Sequence, residues 1–161
     1  MTVPLPGTVW PTIYFPAIGG ALCRGVDVHM VVSNPHSKPG GVKAASYGNG
    51  WTCVDVAGML VKAAMKSNPQ VSVEEMSQIV SSHLHITYIR STSTCRDWPD
   101  GQHAGNHSKV IVVDEIAHYI GPQNLYMVNL CEWGLIFDDE VQTAQFMDHY
   151  WNPMWNAVLP C

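Results

Sequence analysis

The sequence predicts an α/β fold, a mixed β-sheet flanked by helices on both faces, and three observations carry that prediction. Residues 55–66 and 72–81 place apolar side chains at helical spacing, residues 26–33 and 84–89 alternate like strands, and the apolar run at 110–113 turns at Asp114-Glu115 and returns as a second strand over 116–120. Helical and extended stretches therefore interleave along the chain. With 161 residues, 47% of them hydrophobic and 13% charged, one core and one domain over residues 1–161 are expected. No apolar run is long enough to span a bilayer.

Taken in order, residues 1–20 contain Pro4, Pro6, Pro11 and Pro16, which predicts an irregular leader running into a short helix near Ala17 to Cys23. Gly25 ends that helix, because glycine readily takes the left-handed conformation beyond a helix C-terminus. Residues 26–33 then read as a strand with Val26, Val28, Met30 and Val32 on one face. Residues 34–50 are a loop rich in proline and glycine. It holds His36-Ser37-Lys38, but Pro39 follows at once and position 43 is lysine, so it reads as surface loop.

Val56, Met59, Leu60, Ala63 and Ala64 define the inner face of the next helix. Ser72 caps the one after it, with Glu75 at the capping-box position and Met76, Ile79 and Val80 facing inward. In the strand at 84–89, His83, His85, Thr87 and Ile89 fall on one face and Leu84, Ile86 and Tyr88 on the other. His83 and His85 have a spacing that two metal ligands can use, but no third ligand is evident nearby, and they read as exposed or hydrogen-bonded histidines. Residues 90–105 form a polar loop whose Trp98 and His103 are candidates for substrate contact. Residues 135–137 predict another strand, and Asp139 or Glu140 starts a final helix to about Trp151.

The net charge of −5 provides no general attraction to phosphate backbones, which weighs against a nucleic-acid partner. Met1 to Gly7 shows no basic region followed by an apolar one, so no signal peptide is read. The five cysteines form no C-x-x-C pair. Cys23 and Cys131, inside apolar segments, read as buried thiols, while Cys53, Cys95 and Cys161 are better placed for disulfides.

The chemistry concentrates in His107-Ser108-Lys109 followed by Asp114, then Gly121-Pro122-Gln123-Asn124. If the lead-in to 110–113 is extended, His107 and Lys109 leave the same face and address one ligand. A histidine that can attack or protonate, beside a lysine that can hold negative charge, suits phosphoryl chemistry without a metal or cofactor. The pattern H-x-K-x-x-x-x-D arises by chance only about 0.01 times in a chain of this composition. Asp114 has the opposite strand parity from His107 and reads as a structural carboxylate pairing with backbone or a basic group.

These residues resemble the signature of the phospholipase D superfamily. The resemblance is greatest to the C-terminal half of the secreted actinomycete enzymes, through Arg24 to Ser33, Asn106 to Lys109, Gly121 to Tyr126, Glu132 to Ile136 and Trp151 to Trp155. It implies one half of a phospholipase D-like fold, with a strand before the first helix that the proline-rich leader does not show. It implies hydrolysis of phospholipid, or transfer to an alcohol, through a phosphohistidine. His107 would be the acid/base, Lys109 and Asn124 would hold nonbridging phosphoryl oxygens, and Glu132 would bond the other imidazole nitrogen. The family carries two such motifs and this chain has one, so the resemblance implies a companion half. The alternatives are a one-motif homodimeric phosphodiesterase or nuclease, and a non-catalytic remnant or binding protein. Pro122 stands where the family usually has serine, which removes a hydroxyl and an N–H worth about 0.5 to 1.5 kcal/mol each. The resemblance and the cysteine count favour an extracellular setting.

Overall fold

The computed structural model describes residues 14–35, 37, 51–122 and 131–157. Most of the leader, and the His36 and Lys38 of the glycine-rich loop, lie outside them. Helix α1 (Phe15–Cys23) starts two residues earlier than predicted because Pro16 fits the first helical turn, where its missing N–H is no loss. Gly25 ends it at φ 80°, and β1 (Val28–Val32) follows. Helix α2 (Cys53–Ser67) opens on a capping box between Thr52 and Asp55, and α3 (Val73–His83) on one between Ser72 and Glu75. Strand β2 (Leu84–Tyr88) leaves α3 directly and pairs parallel with β1, Val28 opposite Leu84 and Val32 opposite Tyr88.

The core lies between this parallel pair and the three helices. Phe15, Leu22, Val56, Leu60, Ala63, Val80 and Leu84 form one buried cluster, with Val28, Met30 and Ile86 of the strands packed against it. Gly19 lets α1 approach α2 closely: a Cβ there would meet the Ala64 Cβ at 3.2 Å.

The second half of the chain builds β3 (Val110–Val113), β4 (Ala117–Ile120) and β5 (Leu135–Asp138), an antiparallel meander. Asp114 and Glu115 make the β3–β4 turn with φ of 52° and 57°. Helix α4 (Glu140–Phe146), capped by Asp139, packs on β4 and β5 and continues through a π-helical turn (Met147–Trp151) into α5 (Asn152–Trp155). The helical stretch thus runs four residues past the predicted end. Pro153 supplies the reason for the turn, since it has no N–H and its ring displaces the carbonyl four residues back. The Asn152 N–H accordingly bonds Met147 O, five residues back.

The α/β class is as predicted, but the single mixed sheet is two sheets, one parallel and one antiparallel. Among the described residues no continuous ladder joins them: the end of β1 meets the segment between through the Asn34 N–H to Ala104 O bond at 3.2 Å and through the Asn34, Asn106 and Ser33 side chains. Helices do cover both faces of the parallel pair: α1 to α3 on one, and Trp155 of α5 against His29 on the other, ring centroids 5.0 Å apart. Cys131 is exposed, not buried, because it lies in the irregular stretch before β5. Cys53 and Cys95, expected to suit disulfides, are free thiols, and Cys23 is half-buried.

Candidate active site

Asn34, at the end of β1, builds the site's frame. It is 3% exposed, and its amide nitrogen donates to Ile89 O at 2.8 Å and Ala104 O at 2.7 Å. One side chain therefore pins the ends of both parallel strands to the segment leading into the motif. Asn106 continues the link: its N–H donates to Ser33 Oγ at 2.8 Å and its side-chain amide to Val31 O at 3.0 Å. Its Oδ1 then accepts from the Ser108 N–H at 2.9 Å, a local turn that presents His107.

His107, Ser108 and Lys109 precede β3 rather than belong to it. The Lys109 carbonyl accepts from the Gly121 N–H at 3.2 Å, so the motif is aligned against the residue that follows β4. The Lys109 ammonium folds back to donate to the His107 carbonyl at 2.6 Å. Ser108 points elsewhere, accepting a short hydrogen bond from the Tyr150 hydroxyl in the π-helical turn. The final helix is thereby fastened to the motif. Phe146 lies beside Tyr150 and also stacks on one side of His118, with Phe137 on the other. His118 Nδ1 lies 2.8 Å from Thr143 Oγ1, whose own hydroxyl donates to Ile116 O at 3.0 Å, so the imidazole carries its proton on Nδ1.

Burial holds the His107 pKa below its ordinary value of 6.5, and the Lys109 charge adds to the effect. Burial also lowers the Lys109 pKa, an effect the Glu132 carboxylate opposes. Glu132 is thus within electrostatic reach of the predicted cation. Lys109 therefore lies within electrostatic reach of both His107 and Glu132. Since folding disfavours the His107 proton, this residue's share of stability is present above pH 6.5 and declines as pH falls. An NMR titration of Lys109→Met should move the His107 midpoint upward, but not fully to 6.5, because burial is the larger cause. An unmoved midpoint would show that the ammonium is not felt.

Other predicted site residues are placed differently. Asp114 sits exposed in the hairpin turn, about 23 Å of extended chain from His107, where its role is conformational. Asn124 lies outside the described residues. Trp98 and His103 belong to the ribbon before the motif, both partly exposed, with His103 Nδ1 2.6 Å from Asp97 Oδ1. Sequence reasoning missed the positioning roles of Asn34 and Tyr150. An asparagine after a strand and a tyrosine on a helix carry no local signal of such long-range bonds.

Next to the motif is an apolar cleft of about 420 Å³ lined by Ile120, Gly121, Pro122, Trp133, Gly134, Leu135 and Phe137. It begins at Gly121, bonded to the Lys109 carbonyl, and includes Trp133, the neighbour of Glu132. The backbone of the motif is thus fastened to the edge of an apolar surface. No described helix is long and apolar enough to cross a membrane.

No family model matches the chain. A curated protein named Phospholipase D from Streptomyces antibioticus is 28% identical over 144 residues, 88% of this chain and 25% of that protein. The chain spans about a quarter of the length of that relative. The candidate residues His107, Lys109 and Glu132 lie in a chain similar, over most of its own length, to part of a Streptomyces phospholipase D.

Proposed function

We propose that the chain is one half of a phospholipase D-type phosphodiesterase centre acting on phospholipid outside the cell, completed by a companion half with a second histidine. The observation that carries this reading is the Gly121 N–H bond to the Lys109 carbonyl, which sets the motif's backbone at the edge of the apolar cleft: a phospholipid has a phosphodiester to set against the ammonium and an apolar body to set in the cleft.

In this scheme the companion histidine attacks phosphorus, the P–N bond forms, and the P–O bond to the leaving alcohol breaks. His107 gives that oxygen its proton, then takes one from the water or alcohol that attacks the phosphohistidine. Lys109 and Asn124 stabilise charge on the nonbridging oxygens, and Glu132 fixes the imidazole's tautomer. The lowered His107 pKa fits if proton uptake follows substrate binding, since a bound phosphate anion offsets the Lys109 repulsion. Asp114 supports the turn only.

A second copy of the chain is the other candidate companion. Ile111, Val113 and Ile136 share one face of the antiparallel sheet and are 53%, 55% and 77% exposed, an apolar surface that a partner can cover. The test is headgroup release from phosphatidylcholine vesicles by the assembled protein, in EDTA, with a DNA oligonucleotide as competing substrate. Release that persists in chelator and falls about a hundredfold or more in Lys109→Met is expected. Preferential cleavage of DNA, or activity restored only by a divalent cation, would refute the reading.

A further inference from the structure

The last helical stretch touches both sheets. Its first part, α4, rests on the antiparallel one: the Thr143 hydroxyl donates to Ile116 O, and Phe146 stacks on His118 with centroids 4.6 Å apart. Its last part, α5, rests on the parallel pair, with Trp155 at an edge against His29 and its carbonyl accepting from the Arg90 guanidinium at 3.3 Å. Tyr150 lies between these two anchorages, in the π-helical turn, its ring 5.0 Å from that of Phe146. Its hydroxyl donates to Ser108 Oγ.

Ser108 stands between His107 and Lys109, so its two backbone torsions set the angle between their side chains. Asn106 Oδ1 holds the Ser108 N–H, which orients the peptide plane entering the residue, and the Gly121 N–H holds the Lys109 carbonyl beyond it. Tyr150 holds the Ser108 side chain itself. We propose that Tyr150 is a positioning residue for the reaction at His107: through Ser108 it keeps the imidazole and the Lys109 ammonium in register, tied to both sheets at once. Its effect on turnover rests on the phosphodiesterase reading above; its effect on the imidazole does not. A proton donor displaced by about 1 Å can lose up to roughly a hundredfold in rate. Single π-helical turns recur at functional sites, and here the turn carries the anchor.

The experiment uses Tyr150→Phe, which keeps the ring beside Phe146 and removes only the hydroxyl, with Ser108→Ala, the double variant and Ser108→Thr. His149→Gln is the control, because His149 lies in the same turn and its Nδ1 bonds the Gln145 carbonyl within the helix. In the assembled protein, Tyr150→Phe and Ser108→Ala should each lower kcat for headgroup release from phosphatidylcholine about ten- to a hundredfold, with KM little changed. The double variant should be no slower than either single one. Ser108→Thr, which keeps a hydroxyl, and His149→Gln should turn over like the parent. In the chain without substrate, the His107 titration midpoint followed by NMR should move upward in Tyr150→Phe, because the burial and the Lys109 charge that hold it down both weaken as the segment loosens. A parent that releases no headgroup would count against the phosphodiesterase reading and leave this midpoint to decide on Tyr150. An unmoved midpoint in Tyr150→Phe, a loss confined to KM, or additive losses in the double variant would overturn the proposal.

Discussion

A size-selected monomer of this chain is expected to turn over phosphodiesters at least about a thousandfold more slowly than the assembled protein. The reason is geometric. In the proposed reaction the nucleophile and the acid flank phosphorus in line, and one imidazole cannot stand on both sides at once. Neither His118 nor His103 can supply the second group: His118 is 5% exposed between two phenylalanines with its Nδ1 on Thr143, and His103 is held by Asp97. In the assembled protein His107→Ala should reduce turnover by roughly 10³- to 10⁴-fold, the upper range for a lost proton donor. The measurement is headgroup release across a chromatographic profile, with His107→Ala run in parallel. Robust turnover in the monomer fraction that vanishes in His107→Ala would show that one histidine suffices.

Gly134→Ala should be the most destabilising single-methyl change near the site. A Cβ at Gly134 would lie 2.6 Å from the Tyr119 Cζ, and one at Gly121 equally close to the same atom. The Tyr119 ring thus passes over both glycines. Its hydroxyl is buried with no hydrogen-bond partner among the described residues, so the ring is placed by packing rather than by a polar anchor. Overpacking of this kind costs about 1 to 3 kcal/mol, and Gly134→Ala belongs at the upper end because the clash is with ring atoms of a half-buried side chain. Gly121→Ala should also disturb Lys109 through their shared backbone bond. Urea unfolding of Gly134→Ala, Tyr119→Ala and the double variant separates the cause: relief of the clash makes the double variant more stable than the sum of the singles. Strict additivity would mean that the ring does not obstruct position 134.

How much could be read beforehand follows from which interactions are local. The capping box at Ser72–Glu75, the stop at Gly25 and the hairpin at Asp114–Glu115 depend on residues within a few positions of each other, and all were legible, whereas the equally local box at Thr52–Asp55 went unread. The π-helical turn was less so, since Pro153 signals a disturbance but not its form. The division into two sheets depends on where backbone ladders lapse, which strand periodicity does not report. In the site, residue types and spacing exposed His107 and Lys109, whereas the parity of Asp114 revealed only that it faced away. The framework that places them is invisible at short range: Asn34 reaches residues 55 and 70 positions on, and Tyr150 reaches back 42 to Ser108.

That long reach has a kinetic side. Closing a loop becomes harder with its length, by about 0.6 kcal/mol for each doubling, and slow folding goes with contacts distant in sequence. Within the helical core α2 and α3 adjoin in the chain. Asn34 and Asn106 bridge separations of 55 to 75 residues. The segment carrying His107 is therefore expected to be set late in folding. Loss of the Asn34 amide acts mainly after the rate-limiting step: it leaves the refolding rate of the helical core nearly unchanged and speeds the release of the motif.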